Sequence, residues 1–204
     1  MSRGTLFTVS AASGTGKTSL VKSLVELLSN VRVSISHTTR PIRPGEVEGV
    51  NYHFVSQDKF MLMLEQGAFL EHAQVFANYY GTSSEWVENT LKTGTDVILE
   101  IDWQGAQQVR RLKPDVVGIF ILPPSRKTLE ERLNERGQDD ADVIAARMAE
   151  AKDEISHYIE SDFLVVNDNF DTALEELVAI IQSQRLKISN QEPRYVELIK
   201  SLLA

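Results

Sequence analysis

Eight consecutive residues, Ala11-Ala12-Ser13-Gly14-Thr15-Gly16-Lys17-Thr18, follow the pattern GxxxxGK[ST] with alanine in the first glycine position. A loop of this kind turns successive backbone N–H groups inward around phosphate oxygens. That requires small residues tolerant of unusual φ/ψ and a helix N-terminus beneath them. Gly14 and Gly16 meet the requirement, Lys17 would reach the β- and γ-phosphates of a nucleotide, and the Thr18 hydroxyl would ligate Mg²⁺. A plain glycine-rich turn is the competing explanation, and the placement between a strand pattern and a helix pattern counts against it. Ala11 bears on the tightness of the loop more than on its use.

Such a loop identifies nucleotide binding and nothing narrower. The NKxD motif with which GTPases read guanine is absent. The apolar run 97–102 (VILEID) ends in carboxylates, as a Walker B strand does, so Glu100 and Asp102 stand where they could act near Mg²⁺ or a base. Strands ending in an acid are common, and the run alone does not decide the matter.

Arg40 and Arg43 flank a proline that limits the backbone, and two guanidinium forks at that spacing can converge on one phosphate. By itself an RPxR stretch is more often a solvated turn. Glu71 and the 78–82 turn (NYYGT) change the balance. A carboxylate accepts from guanine N1–H and its exocyclic amino group together, a donor pair adenine lacks, and tyrosines offer hydroxyls for phosphate or a ring face for a base. Arg132 and Arg136 lie one turn apart and, taken alone, would as readily pair with Glu131 and Glu135 along a helix surface.

The elements that must hold these groups follow from periodicity. Residues 5–10 read as a buried strand and 17–28 as a helix, with Leu20, Leu24 and Leu27 on one face. Strand patterns recur at 31–35, 97–101, 116–122 and 163–166, separated by helical patterns at 105–112 and 129–158, with another helix at 174–181. Alternating strands and helices with near-continuous apolar strands imply an α/β fold: a parallel sheet of the P-loop NTPase type, flanked by helices on both faces. Between about 36 and 82 the rhythm breaks into a small β-rich insertion with strand patterns at 51–55 and 69–75 and a helix near 58–65. About 126–157 reads as a helical lid interrupted by a polar run. The core is then about 1–35, 83–125 and 158–204 of a single domain.

Composition narrows the classes. At 204 residues, 42% hydrophobic and 25% charged, the chain has ordinary globular proportions and enough length for one buried core. Without cysteine, disulfides, thiolate catalysis and sulfur-ligated metals are excluded. A net charge of −8 argues against broad binding to nucleic acid or anionic lipid, so any phosphate must be held locally. His37, His53, His72 and His157 lack metal-ligand spacing and read as ordinary histidines. No apolar run approaches the ~20 residues of a membrane span, and the N-terminus carries no signal-peptide pattern; a soluble, cytoplasmic protein is expected.

Taken in order, the segments SAASGTGKTS, SHTTRPIRPGEVEG, FLEHAQVFANYYGTS, LEIDWQGAQQV, FILPPS, ERLNERGQDD and VVND resemble those of bacterial guanylate kinases over essentially the whole chain. The resemblance implies transfer of the γ-phosphoryl group of ATP to GMP, with Mg²⁺ as cofactor. It implies that Arg40, Arg43, Tyr52 and Tyr80 hold the GMP phosphate and that Ser36, Glu71, Thr82 and Asp102 surround the guanine. It further implies that Lys17, Arg132, Arg136 and Arg147 neutralise the transferring group and that Asn167 and Asp168 lie near the adenine. Glu100 stands where the family usually has aspartate, and Ala11-Ala12 where Gly-Pro or Ala-Pro is usual. Two rivals remain: a non-catalytic interaction module of the same fold, against which the intact loop and arginines speak, and a kinase for another monophosphate, against which Glu71 speaks. GMP and dGMP are not distinguished. The segment 194–203 has an apolar face suited to docking on the body or on another subunit, so monomer and homo-oligomer both stay open.

Overall fold

The computed structural model describes residues 3–75, 77–135 and 141–204. In chain order the elements begin with β1 (Leu6–Ala11), α1 (Lys17–Leu27), β2 (Val31–Val33), β3 (His37–Thr38), β4 (His53–Phe54) and α2 (Gln57–Glu65). Next come β5 (Phe69–Val75), β6 (Asn78–Ser83), α3 (Ser84–Lys92), β7 (Asp96–Glu100), α4 (Trp103–Leu112) and β8 (Val117–Leu122). The chain ends with α5 (Arg126–Glu135), α6 (Ala141–Ser156), a 3₁₀ turn (His157–Glu160), β9 (Phe163–Val166), α7 (Phe170–Arg185), α8 (Ile188–Gln191) and α9 (Val196–Leu203).

Five strands form a parallel sheet in the order β2-β7-β1-β8-β9. Side chains alternate across its faces. Phe7 and Val9 of β1 point to one face, where they meet Leu20 and Leu24 of α1 and Leu177 and Ile181 of α7. Leu6 joins Val97 and Leu99 on the other, against Val87 and Leu91 of α3 and Val109 of α4. In each helix the buried residues recur at intervals of four, the stripe an amphipathic helix presents to a sheet. Burying each such side chain contributes about 1.5–3 kcal/mol. The expected parallel sheet covered by helices is the one observed, and it leaves the carboxyl ends of β1 and β7 side by side, with Val9 in register with Glu100.

A second sheet, order β4-β3-β6-β5, carries one parallel and two antiparallel pairings. Phe60 of α2 backs it, stacked on Phe69 at 4.6 Å and on Tyr79 at 5.6 Å. The sheet is tied to the body at α4: the Gln108 amide accepts from the His72 N–H at 3.1 Å and donates to the His72 carbonyl at 3.0 Å, taking the place of a neighbouring strand along the edge of β5.

Several elements differ from the sequence expectation, β3 and α8 among them, which lie outside every expected strand and helix. The 78–82 stretch is not a turn but part of β6, paired on both sides. Its Asn and Gly are turn residues, yet two tyrosines and a threonine fit the pleat, and cross-strand packing prevails. Helix α3 forms where no helix is expected from the sequence, and the Ser83 hydroxyl caps it by accepting from the Trp86 N–H at 3.3 Å. In α9 no residue is buried, so the apolar face of 194–203 does not dock on the body.

Candidate functional site

Gly16 is the N-cap of α1 with φ 92° and supplies no side-chain cap, which leaves the first N–H groups of the helix open toward the loop. Glycine is required here twice over. The left-handed φ disfavours any side chain, and a Cβ would lie 2.5 Å from Asn167 Nδ2. That same Nδ2 donates to the Thr15 carbonyl at 2.7 Å, and Asn167 is buried, so its amide braces the loop from below. Asp168 beside it is exposed. Above the loop, Gly14 (φ 86°) packs under Leu129 and Leu133 of α5, whose methyl groups would stand 3.2 Å from a Cβ.

Lys17 is drawn into the protein and donates to the Ile101 carbonyl at 3.2 Å. Burial pushes its ammonium below the ordinary lysine value, opposed by the charges of Glu100, Asp102 and Glu154. The Thr18 hydroxyl donates to Glu100 at close range. Glutamate in place of aspartate is long enough to make that contact directly from the end of β7.

Arg40 is 9% exposed and holds Glu46 in a bidentate pair, Nη2 to Oε1 at 2.7 Å and Nη1 to Oε2 at 3.0 Å, while Nη1 also donates to the Pro41 carbonyl at 2.9 Å. The Glu46 pair raises the guanidinium pKa further, with Tyr80 as a second partner. Glu46 also accepts from the Arg43 N–H at 2.8 Å, so one carboxylate fixes both arginine segments. The Arg40 fork lies 5.4 Å from the Tyr52 ring, and Tyr52 meets Tyr80 edge-on at 5.9 Å. Arg43 is exposed.

Toward the body, the Thr82 hydroxyl donates to Glu71 at 2.5 Å and lies 3.5 Å from the Ser36 hydroxyl. Burial pushes the Glu71 carboxyl up to about 7, with the Thr82 bond acting against it and the Asp102 charge adding to it. Asp102 caps α4 by accepting from the Gly105 N–H at 2.7 Å. A Cβ on Gly105 would stand 3.3 Å from Glu71 and 3.4 Å from Asp102, so the absence of a side chain there lets the carboxylate of the second sheet approach the end of the first. Glu100 is felt electrostatically at both Lys17 and Tyr52, which joins the two clusters across one carboxyl edge.

Of the four residues expected to neutralise the transferring group, Lys17 sits in the loop and Arg132 reaches it, donating to the carbonyls of Thr15 and Asn167 at 3.4 Å each. Arg132 thus turns toward the loop. Arg147 is exposed on α6, and Arg136 lies outside the described residues. Two groups that sequence reasoning passed over stand in the same region. Glu46 has a visible signal, a carboxylate three residues after Arg43 in a Pro-Gly turn. Glu154 has none, being one acid among several on a helix, yet it accepts from the Ser13 N–H at 3.2 Å.

A parallel α/β sheet with a glycine-bound phosphate loop at the carboxyl end of its first strand defines a P-loop protein built to hold nucleotide phosphates. The guanylate kinase family model matches residues 3–184. The chain is 63% identical over 201 residues to a guanylate kinase of Saccharophagus degradans, covering 98% of each, and 56% identical over 204 residues to one of Hahella chejuensis, covering 100% of this chain and 98% of that one. A crystal structure of guanylate kinase from Anaplasma phagocytophilum superposes with a TM-score of 0.75 at 32% identity, covering 93% of this chain and 90% of its own. The chain belongs to the guanylate kinase family and is a phosphotransferase.

Proposed function

We infer that the enzyme catalyses ATP + GMP = ADP + GDP, with dGMP as a further acceptor. The observation that carries the choice of base is Glu71, a buried carboxylate with Thr82 and Ser36 on one side and Asp102 on the other, facing the same carboxyl edge as Lys17. Its oxygens match the paired donors of guanine, and a carboxylate there has nothing to accept from the corresponding edge of adenine beyond a single amino group.

Phosphoryl transfer asks the protein to align two anions and offset their repulsion, with little covalent work of its own. The loop N–H groups, Lys17 and Thr18 hold the ATP phosphates. Arg40, fixed by Glu46 and the Pro41 carbonyl with Tyr80 as a further partner, uses its remaining donor capacity, with Arg43, Tyr52 and Tyr80, to hold the GMP phosphate in line. That phosphate is itself the nucleophile, so no general base is needed. Arg132, with Arg136 and Arg147 as further candidates, takes charge on the transferring group, and closure over it excludes water that would hydrolyse ATP.

The Thr18 hydroxyl and the Glu100 carboxylate are hard oxygen donors suited to Mg²⁺, with Glu100 acting through water. Among the described residues no group of three or more His, Cys, Asp or Glu is arranged for a metal. Held by Thr18 and Glu100, Mg²⁺ would supply charge neutralisation to the nucleotide phosphates.

Among the described residues no helix is long and apolar enough to cross a membrane, and action in the cytoplasm on free nucleotides fits the absence of cysteine. The test is a coupled ADP-release assay with ATP, Mg²⁺ and each of GMP, AMP, UMP and CMP. Turnover with GMP alone is expected. Equal turnover with AMP, or none with GMP, would remove this reading.

A further inference from the structure

The contact between Glu154 and the phosphate loop has no part in the chemistry above. It is not a chance approach of a surface side chain. Ala151, on the same face of α6 one turn earlier, is buried against Ala12 of the loop together with Leu129 and Leu133 of α5, with Met148 and Ile155 packed around them. The helix is therefore seated on the loop, and its geometry delivers the Glu154 carboxylate to the Ser13 N–H at 3.2 Å. The carboxylate is half-buried, within the field of Lys17, and shares the region with Glu150, Asp102 and the other acid facing Lys17, Glu100.

A backbone N–H at the mouth of a loop shaped for phosphate is an anion position, and in this arrangement a side-chain anion fills it. We propose that Glu154 is a positioning residue that occupies the mouth of the phosphate loop when the loop is empty, and that the phosphates of a nucleoside di- or triphosphate must displace it. Two anions compete for one N–H and one ammonium, so each weakens the other. Arg147 lies on α6 seven residues before Glu154, close to two helical turns, so one helix carries both the competing carboxylate and this arginine. The return of Glu154 to Ser13 favours departure of ADP.

The inference rests on the reading of residues 11–18 as the ATP phosphate site, and the experiment separates the two. ATP and ADP binding is measured by calorimetry for the wild-type protein and for E154Q, E154A and K17M, with the KM values for ATP and GMP alongside. Glutamine keeps an acceptor for the Ser13 N–H and loses the charge. Both Glu154 variants should bind ATP about five- to fiftyfold more tightly, the range of a typical site-to-site coupling, with the KM for ATP lowered and that for GMP unmoved. K17M should lose ATP binding. If K17M binds ATP normally, the loop assignment fails; if K17M loses it while neither E154Q nor E154A binds more tightly than wild type, the competition proposed here is wrong. Should E154Q fail to fold, E154A decides alone.

Discussion

Lowering the pH from about 8 to about 6 should weaken GMP binding roughly tenfold, because the groups facing the guanine donors would change from a carboxylate to a carboxylic acid. The Glu71 carboxyl is held at about 7 by burial, against the hydrogen bond from Thr82. Its ionised fraction is then about nine-tenths at the upper pH and about one-tenth at the lower. The protonated form keeps one acceptor and presents an O–H where guanine already offers N–H groups. Calorimetric titration of GMP across this range should give a slope of about one decade in affinity per pH unit below 7, flattening above it.

The Glu71 role proposed above also ties guanine selection to stability. A carboxyl whose value in the folded chain lies above its unfolded value of 4.5 holds its proton more tightly when folded, so the protein loses stability as pH rises from 4.5 through 7. At pH 8 the loss amounts to as much as ~3 kcal/mol. E71Q removes the charge and keeps an acceptor for Thr82. It should therefore be more resistant to urea than wild type at pH 8, with the advantage gone near pH 4, while GMP affinity falls about 10²-fold through loss of charge-assisted bonds. A GMP affinity that is flat between pH 6 and 8, or an E71Q protein no more stable than wild type at pH 8, would refute the reasoning.

Three further outcomes follow from the site. G16A places a Cβ 2.5 Å from Asn167 Nδ2 on a backbone of φ 92°; it should cost about 1–3 kcal/mol, lower the melting midpoint by about 2–4 °C for each of these, and abolish ATP binding by calorimetry. R132A should reduce kcat by about 10²-fold or more with GMP affinity unchanged, since the arginine faces the loop and not the acceptor cluster; near-normal turnover in a steady-state assay would reject its role. E46A leaves the Arg40 fork without its bidentate partner, so the KM for GMP should rise about tenfold with kcat little changed, consistent with a loss of ~1.4 kcal/mol.

The parts of this site legible in sequence are those where one local demand fixes the residue. Gly16 must be glycine because of its φ and its neighbour, and Lys17 and Thr18 follow it by spacing, so the loop reads directly. Arg40 and Arg43 were visible as a pair but ambiguous, because what gives them direction is Glu46 and the rings of Tyr52 and Tyr80, brought together only by the second sheet. β6 departs from its turn-like sequence for the same reason: its pairing with β3 and β5 is non-local and overrides the turn character of Asn78 and Gly81. Asn167 carries no local sign that its amide would be committed to Thr15, a contact spanning most of the chain.

An acidic chain that binds two polyanions needs its few cations held in place without collapse onto nearby acids or drift into solvent. The geometry meets this by giving several anion-binding groups an internal acid. Arg40 is gripped by Glu46, the Thr18 hydroxyl by Glu100, and the Ser13 N–H by Glu154, while Lys17 stands within the field of the last two and Asp102. These partners differ in kind. Glu46 uses three bonds, two to the Arg40 fork and one to the Arg43 N–H, so it can stay when a phosphate arrives and serves as preorganisation. Glu154 makes a single bond at a position a phosphate would take, so it must leave. On this account the net charge of −8 is compatible with tight phosphate binding because the acids that produce it at the site are arranged either to orient the cations or to yield to the substrate.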